Sequence, residues 1–304
     1  MEIQWPLILF TFFNCLAGGI FLVQGILTLA GRGKAMQLAS CASAIVALAV
    51  GGLAVFFHLQ HPLRMLNGFG HITSGITIEL IVVILFALAV ALYFLIMRRS
   101  EEGVAPKWCA VVAVVVSVAL PFATGDSYLM AAIPVWDTML LPVYYIVATV
   151  LLGGFAALVI AAATKCEDAV KLSSTVALVG AVLAAVVSVA YAVLIAGMGD
   201  SFTEMEFYFD PTLPDVAMRQ ADQVTGAILA GEHAVAFWLG NVVVGCAVPA
   251  VLAALVMTGK IATERLMAAS VIGLVCAIAG TLVWRVLLYE VAVNALIQFQ
   301  WALN

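Results

Sequence analysis

Charged residues are scarce in this chain of 304 residues. Lysine and arginine number 12 and aspartate and glutamate 17, so 10% of the residues are charged and 65% are hydrophobic, whereas about 25% are charged in an average soluble domain. So few charges cannot cover the surface of a soluble protein. An intrinsically disordered chain is excluded as well, because it would be poor in apolar residues. A net charge of −5 leaves no basic patch for nucleic acid. The composition therefore predicts a polytopic membrane protein in contact with the lipid bilayer.

Long runs without any Asp, Glu, Lys or Arg indicate how often the chain crosses the membrane. A run of about 18 residues is enough for a helix to cross a hydrocarbon core of ~30 Å, and the alternation of a membrane barrel is absent. We therefore predict an all-α fold, a bundle of eight transmembrane helices in a single membrane domain over residues 1–304. The eight uncharged runs are 3–31, 35–57, 80–97, 108–125, 138–164, 172–199, 234–259 and 266–284.

The sequence also lacks the usual patterns of metal and haem ligands. None of the six cysteines forms a C-x-x-C pair, so we expect them to pack as small apolar residues and predict no iron–sulfur or zinc site in this chain. A haem would need two histidines on facing helices. His61 and His71 fall in a predicted loop, and His58 and His233 are shallow, so we predict no haem. Residues 1–5 contain Glu2 and no basic residue, and we do not expect a cleavable signal peptide.

Basic residues are distributed unevenly between the two sides of the predicted bundle. The odd-numbered connections contain nine of the twelve, and the even-numbered ones only Arg64 and Arg219. The positive-inside rule places the odd connections in the cytoplasm and both termini outside. The longest connection, residues 199–231, is acidic and aromatic, which fits either a solvated extracytoplasmic loop or a docking surface for a partner. The nine basic residues are Arg32, Lys34, Arg98, Arg99, Lys107, Lys165, Lys171, Lys260 and Arg265.

A short pattern recurs in the two halves of the chain. Trp5-Pro6 precedes Gly18-Gly19 in the first predicted helix, and Trp136 and Pro142 precede Gly153-Gly154 in the fifth. We read this as favouring two parallel four-helix repeats, in halves 1–125 and 134–304. The alternative is ordinary packing, since glycine pairs let helices approach closely in lipid.

Ionisable side chains inside a bilayer cost free energy and therefore need a partner or a purpose. His58 fits an interfacial residue or a proton acceptor, and Glu79 must be protonated, paired or facing a polar cavity. Arg285 either snorkels to the outer interface or pairs with a carboxylate such as Glu79. Together they predict one shallow site near the outer face, which suits a lipid-soluble redox carrier that exchanges protons. A transporter would place polar groups near the midplane, where only Asn14, Asn241 and scattered Ser and Thr occur.

Several motifs together resemble a known family. They are His58-Leu59-x-x-Pro62-x-Arg64-x-x-Asn67, Ser74 five residues before Glu79, and Pro134-x-Trp136 followed by Gly153-Gly154. This pattern is similar to that of the membrane anchor subunit of dimethyl sulfoxide reductase, and the likeness covers essentially the whole chain. His61 departs from it, because the family's best-known members have a small residue there.

The resemblance implies a respiratory complex of three subunits in a bacterial cytoplasmic (inner) membrane. A catalytic subunit would hold a molybdenum-bis(pterin guanine dinucleotide) cofactor, and an electron-transfer subunit four [4Fe-4S] clusters. This chain would bind menaquinol, without haem, and pass electrons on in anaerobic respiration. The alternatives are a polysulfide-reductase-type anchor, a complex that runs in the reverse direction, a structural anchor without a quinone site, or a small-molecule transporter.

The resemblance also implies which residues form the quinol site. The histidine matching His58 and the carboxylate matching Glu79 are associated with that site in the family, and Arg64 and Asn67 belong to the same motif. We predict His58 and Glu79 as the catalytic proton acceptors, and His58, Arg64, Asn67, Glu79 and Arg285 as the quinol-binding residues.

Overall fold

The computed structural model describes residues 3–59, 61, 67, 69–198 and 221–292, with the side chains of 221–225 excepted. Within these residues every regular element is helical. The helices are α1 (Trp5–Leu29), α2 (Gln37–His58), α3 (Gly75–Arg99), α4 (Lys107–Asp126), α5 (Leu140–Ala163), α6 (Glu167–Ala196), α7 (Ala221–Ala230), α8 (Ala236–Met257) and α9 (Thr263–Glu290). The first twelve residues of α8, Ala236–Ala247, form a π-helix.

Eight of these helices are long and apolar enough to cross a membrane, which confirms the predicted eight-helix bundle. The ninth, α7, is only 10 residues long and lies within the predicted acidic connection. Residues 199–220 of that connection are outside the described residues, so the docking surface remains a prediction.

The two ends of the bundle differ in charge. One end, which we call the basic face, holds the connections α1–α2, α3–α4, α5–α6 and α8–α9. The nine basic residues of the odd connections lie in or beside these four connections. The opposite end, which we call site face, holds the connections α2–α3 and α4–α5. Which compartment each face meets remains a prediction from the positive-inside rule.

The glycine pairs of the repeated pattern lie at close helix contacts: Gly19 of α1 meets Gly153 of α5, and Gly154 packs on α6. A Cβ atom on Gly19 would lie 2.7 Å from the Cα of Gly153, and a Cβ on Gly154 would lie 2.7 Å from the Cβ of Ala177 in α6. Real Cβ atoms do not approach other heavy atoms so closely, so these positions admit only glycine without rearrangement. The glycine pairs therefore allow close helix packing, which was the alternative explanation of the repeated pattern. The division into two four-helix halves remains a prediction.

A buried hydrogen-bond network joins α1, α2 and α3 near the basic face. The hydroxyls of Thr28 and Tyr93 are 2.7 Å apart, and the Tyr93 hydroxyl donates to Gln37 Oε1 over 3.1 Å. The same Gln37 oxygen accepts the backbone N–H of Ala105 at 3.1 Å, and Gln24 donates to Thr28 at 3.1 Å. Because polar groups in an apolar interior require partners, this network fixes the relative positions of the first three helices.

Candidate functional site

A cavity of about 510 Å³ opens within the bundle at the site face. Its volume lies in the range typical of small-molecule sites, about 300–1,000 Å³. Helices α1, α2 and α3, the connection α4–α5 and the end of α9 all contribute to its wall. Most of the wall is apolar, and its polar and aromatic members are Gln4, Phe10, His58, Glu79, Ser127, Tyr128, Trp136 and Tyr289.

His58 and Glu79 come to this cavity from neighbouring helices. His58 is the last residue of α2 and is exposed, and Glu79 lies in the second turn of α3. Helix α3 begins at Gly75, four residues earlier, so Gly75 and Glu79 share one helix face. Glu79 thus lies about 6 Å inside the start of α3. The structure therefore places the two predicted proton acceptors on the wall of one cavity.

The carboxylate of Glu79 is half satisfied by the protein. Its side chain is 7% exposed, and its Oε2 accepts a hydrogen bond of 2.8 Å from the hydroxyl of Ser127. Its Oε1 is buried and has no hydrogen-bond partner among the described residues. An unpaired buried carboxylate oxygen is costly, and one on a cavity wall can be satisfied by a bound hydroxyl group. Of the three states that the sequence allowed, Glu79 is partly paired, through Ser127, and it lines a cavity whose wall is mostly apolar rather than polar.

Three aromatic side chains form one side of the cavity. The ring centroids of Tyr128 and Trp136 are 5.7 Å apart, and those of Trp136 and Tyr289 5.1 Å apart. The Trp136 indole donates to the backbone carbonyl of Leu288 at 3.0 Å, which fixes its ring. The Tyr289 hydroxyl is buried without a hydrogen-bond partner among the described residues. This wall offers flat, apolar surface to a planar ring.

Arg285 lies behind this aromatic wall rather than in the cavity. It is 1% exposed, donates to Thr11 Oγ1 at 3.1 Å and to Cys15 Sγ at 3.1 Å, and its guanidinium lies 4.9 Å from the ring centroid of Tyr145. No ion pair joins it to a carboxylate in the part of the chain that the structure describes. Both interpretations of the sequence were wrong, because Arg285 neither reaches the interface nor pairs with Glu79. Hydroxyl, sulfur, carbonyl and π-electron partners surround its charge instead.

The remaining predicted residues are not part of the cavity as described. Asn67 is exposed and does not line it. Arg64 lies outside the described residues. Both therefore stay predictions as quinol-binding residues.

Sequence reasoning missed Ser127 and Tyr128. They follow Thr124 at the end of the fourth uncharged run, where the chain turns back at the site face. The sequence did contain a signal for them, because polar residues at the site-face end of the fourth span should lie at a depth similar to that of Glu79. Which span would lie next to α3 could not be read from the sequence.

Comparison with known proteins identifies the family of this chain. None of the curated proteins matches the chain. The family model described as DMSO reductase anchor subunit (DmsC) matches residues 1–291, nearly the whole chain and all eight membrane spans. This confirms the resemblance seen in the motifs. The chain belongs to the family of DMSO reductase anchor subunits, and is thus the membrane anchor of a DMSO reductase-type complex, which implies catalytic and iron–sulfur partner subunits.

Proposed function

We propose that this anchor subunit oxidises menaquinol in the cavity at the site face and passes the electrons to its iron–sulfur partner subunit. The observation that carries the proposal is the position of His58 and Glu79 on one cavity wall, with a buried Glu79 oxygen left free. Two proton-accepting side chains of different helices suit a substrate that loses two protons. The aromatic wall suits the planar ring of a quinol.

Each menaquinol loses two protons and two electrons in this site. The two hydroxyl O–H bonds break, one proton goes to the imidazole of His58 and one to the carboxylate of Glu79, and two electrons leave the ring. The electrons reduce the iron–sulfur partner, and menaquinone remains. His58 and Glu79 then release their protons at the site face, where His58 is exposed.

Ser127, Tyr289 and Arg285 support these steps without accepting a proton. The hydrogen bond from Ser127 fixes Glu79 Oε2, while Oε1 has no partner among the described residues, so Oε1 is the oxygen that we expect to accept from the quinol. Tyr289 lines the cavity and its hydroxyl has no partner among the described residues, so we expect it to hydrogen-bond a quinol oxygen. The positive charge of Arg285, buried behind the wall, favours the negative charge that develops on the substrate as its protons leave.

The site face would then be extracytoplasmic, as the positive-inside rule predicts, in a bacterial cytoplasmic membrane. The partner subunits would carry the molybdenum cofactor and the [4Fe-4S] clusters and would dock on this same face. Protons would be released on the side where the terminal substrate consumes them.

The test is quinol oxidation by the purified complex with His58→Ala. We expect menaquinol oxidation to fall by about 100-fold, the lower part of the range for a lost general base. Reduction of the terminal substrate with a water-soluble reductant that bypasses the anchor should keep its rate. Steady-state assays with the two electron donors measure both.

The matched control is His233→Ala, a histidine in the turn before α8 that does not line the cavity. It should oxidise menaquinol at the rate of the unmodified complex. Equal rates in the His58 variant and the control would refute the role of His58.

A further inference from the structure

Two pockets adjoin each other between α2 and α3 at the basic face, far from the quinol cavity. The first has a volume of about 220 Å³ and is lined by Lys34, Ala35, Leu38, Met97, Arg98 and Gly103. We call it the basic pocket. The second, which we call the apolar groove, has about 200 Å³, and its lining includes Leu38, Ala42 and Ile45 of α2 and Val90, Ala91 and Phe94 of α3. Leu38 lines both, so the two are continuous.

The apolar groove runs along the helices from the basic pocket toward the membrane interior. Leu38, Ala42 and Ile45 are spaced as one face of a helix, and Phe94 precedes Arg98 by one turn on α3. The seven helical steps from Leu38 to Ile45 span about 10 Å. Leu38 and Ile45 are 50% and 38% exposed, so the groove faces the lipid. A charged end that continues into an apolar slot has the shape of a phospholipid.

The basic pocket has no carboxylate in its lining. Lys34 and Arg98 are exposed, and neither forms an ion pair with any residue the structure describes. The acidic residues nearest to it are Glu101, Glu102 and Asp168, whose Oδ2 accepts the backbone N–H of Gly33 at 3.1 Å, and none of them lines the pocket. Two cations, Lys34 from the connection before α2 and Arg98 from the last turn of α3, therefore share one concave surface at the basic face.

We propose that this site binds an anionic glycerophospholipid. Its phosphate would lie between Lys34 and Arg98, and one acyl chain would lie in the apolar groove. Basic pockets between transmembrane helices bind anionic headgroups, and each basic residue near the surface adds affinity. The lipid would fill the gap between α2 and α3 at the end opposite to the quinol cavity.

The experiment measures phosphatidylglycerol binding to the detergent-purified complex by native mass spectrometry. The affinity of the double variant Lys34→Gln/Arg98→Gln for this lipid should fall by about tenfold or more, because two attractive charges are lost. The control Lys260→Gln/Arg265→Gln removes the same charge from exposed residues of the same face outside the pocket and should bind as the unmodified complex does. Equal weakening in both double variants would overturn the proposal in favour of a diffuse basic surface.

Two further measurements distinguish the binding of a lipid from the binding of a free anion. Ala42→Trp fills the apolar groove from its exposed side and should weaken phosphatidylglycerol binding without any change of charge. Inorganic phosphate at millimolar concentration should not displace the lipid, and zwitterionic phosphatidylcholine should bind more weakly. Unchanged binding in Ala42→Trp, displacement by phosphate, or equal binding of the two lipids would each overturn the proposal.

Discussion

Replacing Glu79 by glutamine should lower menaquinol oxidation by about 100-fold or more while leaving the cavity intact. Glutamine has nearly the same shape, keeps an oxygen that can accept the hydrogen bond of Ser127, and cannot take up a proton. The loss should therefore appear in kcat, and menaquinone extracted from the purified complex should stay near its unmodified amount. Steady-state kinetics and quinone extraction followed by chromatography measure the two quantities.

The control for this variant is Asp137→Asn. Asp137 is an exposed carboxylate in the connection α4–α5, the segment that supplies Ser127, and it does not line the cavity. It should oxidise menaquinol at the unmodified rate. An unmodified rate in the glutamine variant would remove Glu79 from the mechanism, whereas loss of bound quinone alone would assign it to binding.

Replacing Gly19 by valine should strongly destabilise the folded protein. A Cβ at this position would overlap the backbone of α5 at Thr149 and Gly153, so α1 and α5 would have to move apart along their contact. Overpacking of this kind costs about 3 kcal/mol, a large share of a typical folding free energy of about 5–15 kcal/mol. The thermal unfolding midpoint of the purified complex, followed by circular dichroism, should fall by several degrees.

Gly52→Val is the matched control for this change. Gly52 is also in a membrane-spanning helix, α2, but a Cβ there meets no heavy atom within 4 Å. Its unfolding midpoint should stay close to that of the unmodified protein. Equal shifts in the two valine variants would mean that helix propensity rather than the contact of α1 with α5 causes the loss.

The number of membrane spans was predictable because it depends on a local property. Uncharged runs identify helices that lipid can surround, and the eight runs correspond to the eight long helices. The limits of the uncharged runs do not coincide with the ends of the helices, since α3 begins five residues before its run and α9 continues six residues beyond its run. Charged residues at helix ends lie near the polar interface or, as with Glu79 and Arg285, are buried by other helices.

The candidate site was predictable only in part. The cost of charge in lipid singled out Glu79, and its helix position placed it near His58 in depth. The partners of Arg285 were not predictable, because Thr11 and Cys15 are more than 260 residues away in sequence and are brought close only by the packing of α1 against α9. For the same reason the sequence did not identify Ser127 as the donor to Glu79.

The burial of Arg285 has a consequence for ion permeability. Its guanidinium contacts Thr11 and Cys15, the seventh and eleventh residues of α1, about 9–15 Å from the start of that helix. It therefore lies further along α1 than Leu7 and Phe10, which line the cavity. A proton or other cation leaving the cavity toward the basic face would approach this fixed positive charge, at a cost of about 4 kcal/mol at 4 Å for an effective dielectric constant of 20. We therefore expect Arg285 to act as a barrier against cation leakage, as fixed positive charges do in channels that exclude protons. An anchor with this barrier can hold a proton-releasing site within the bilayer without short-circuiting the membrane potential.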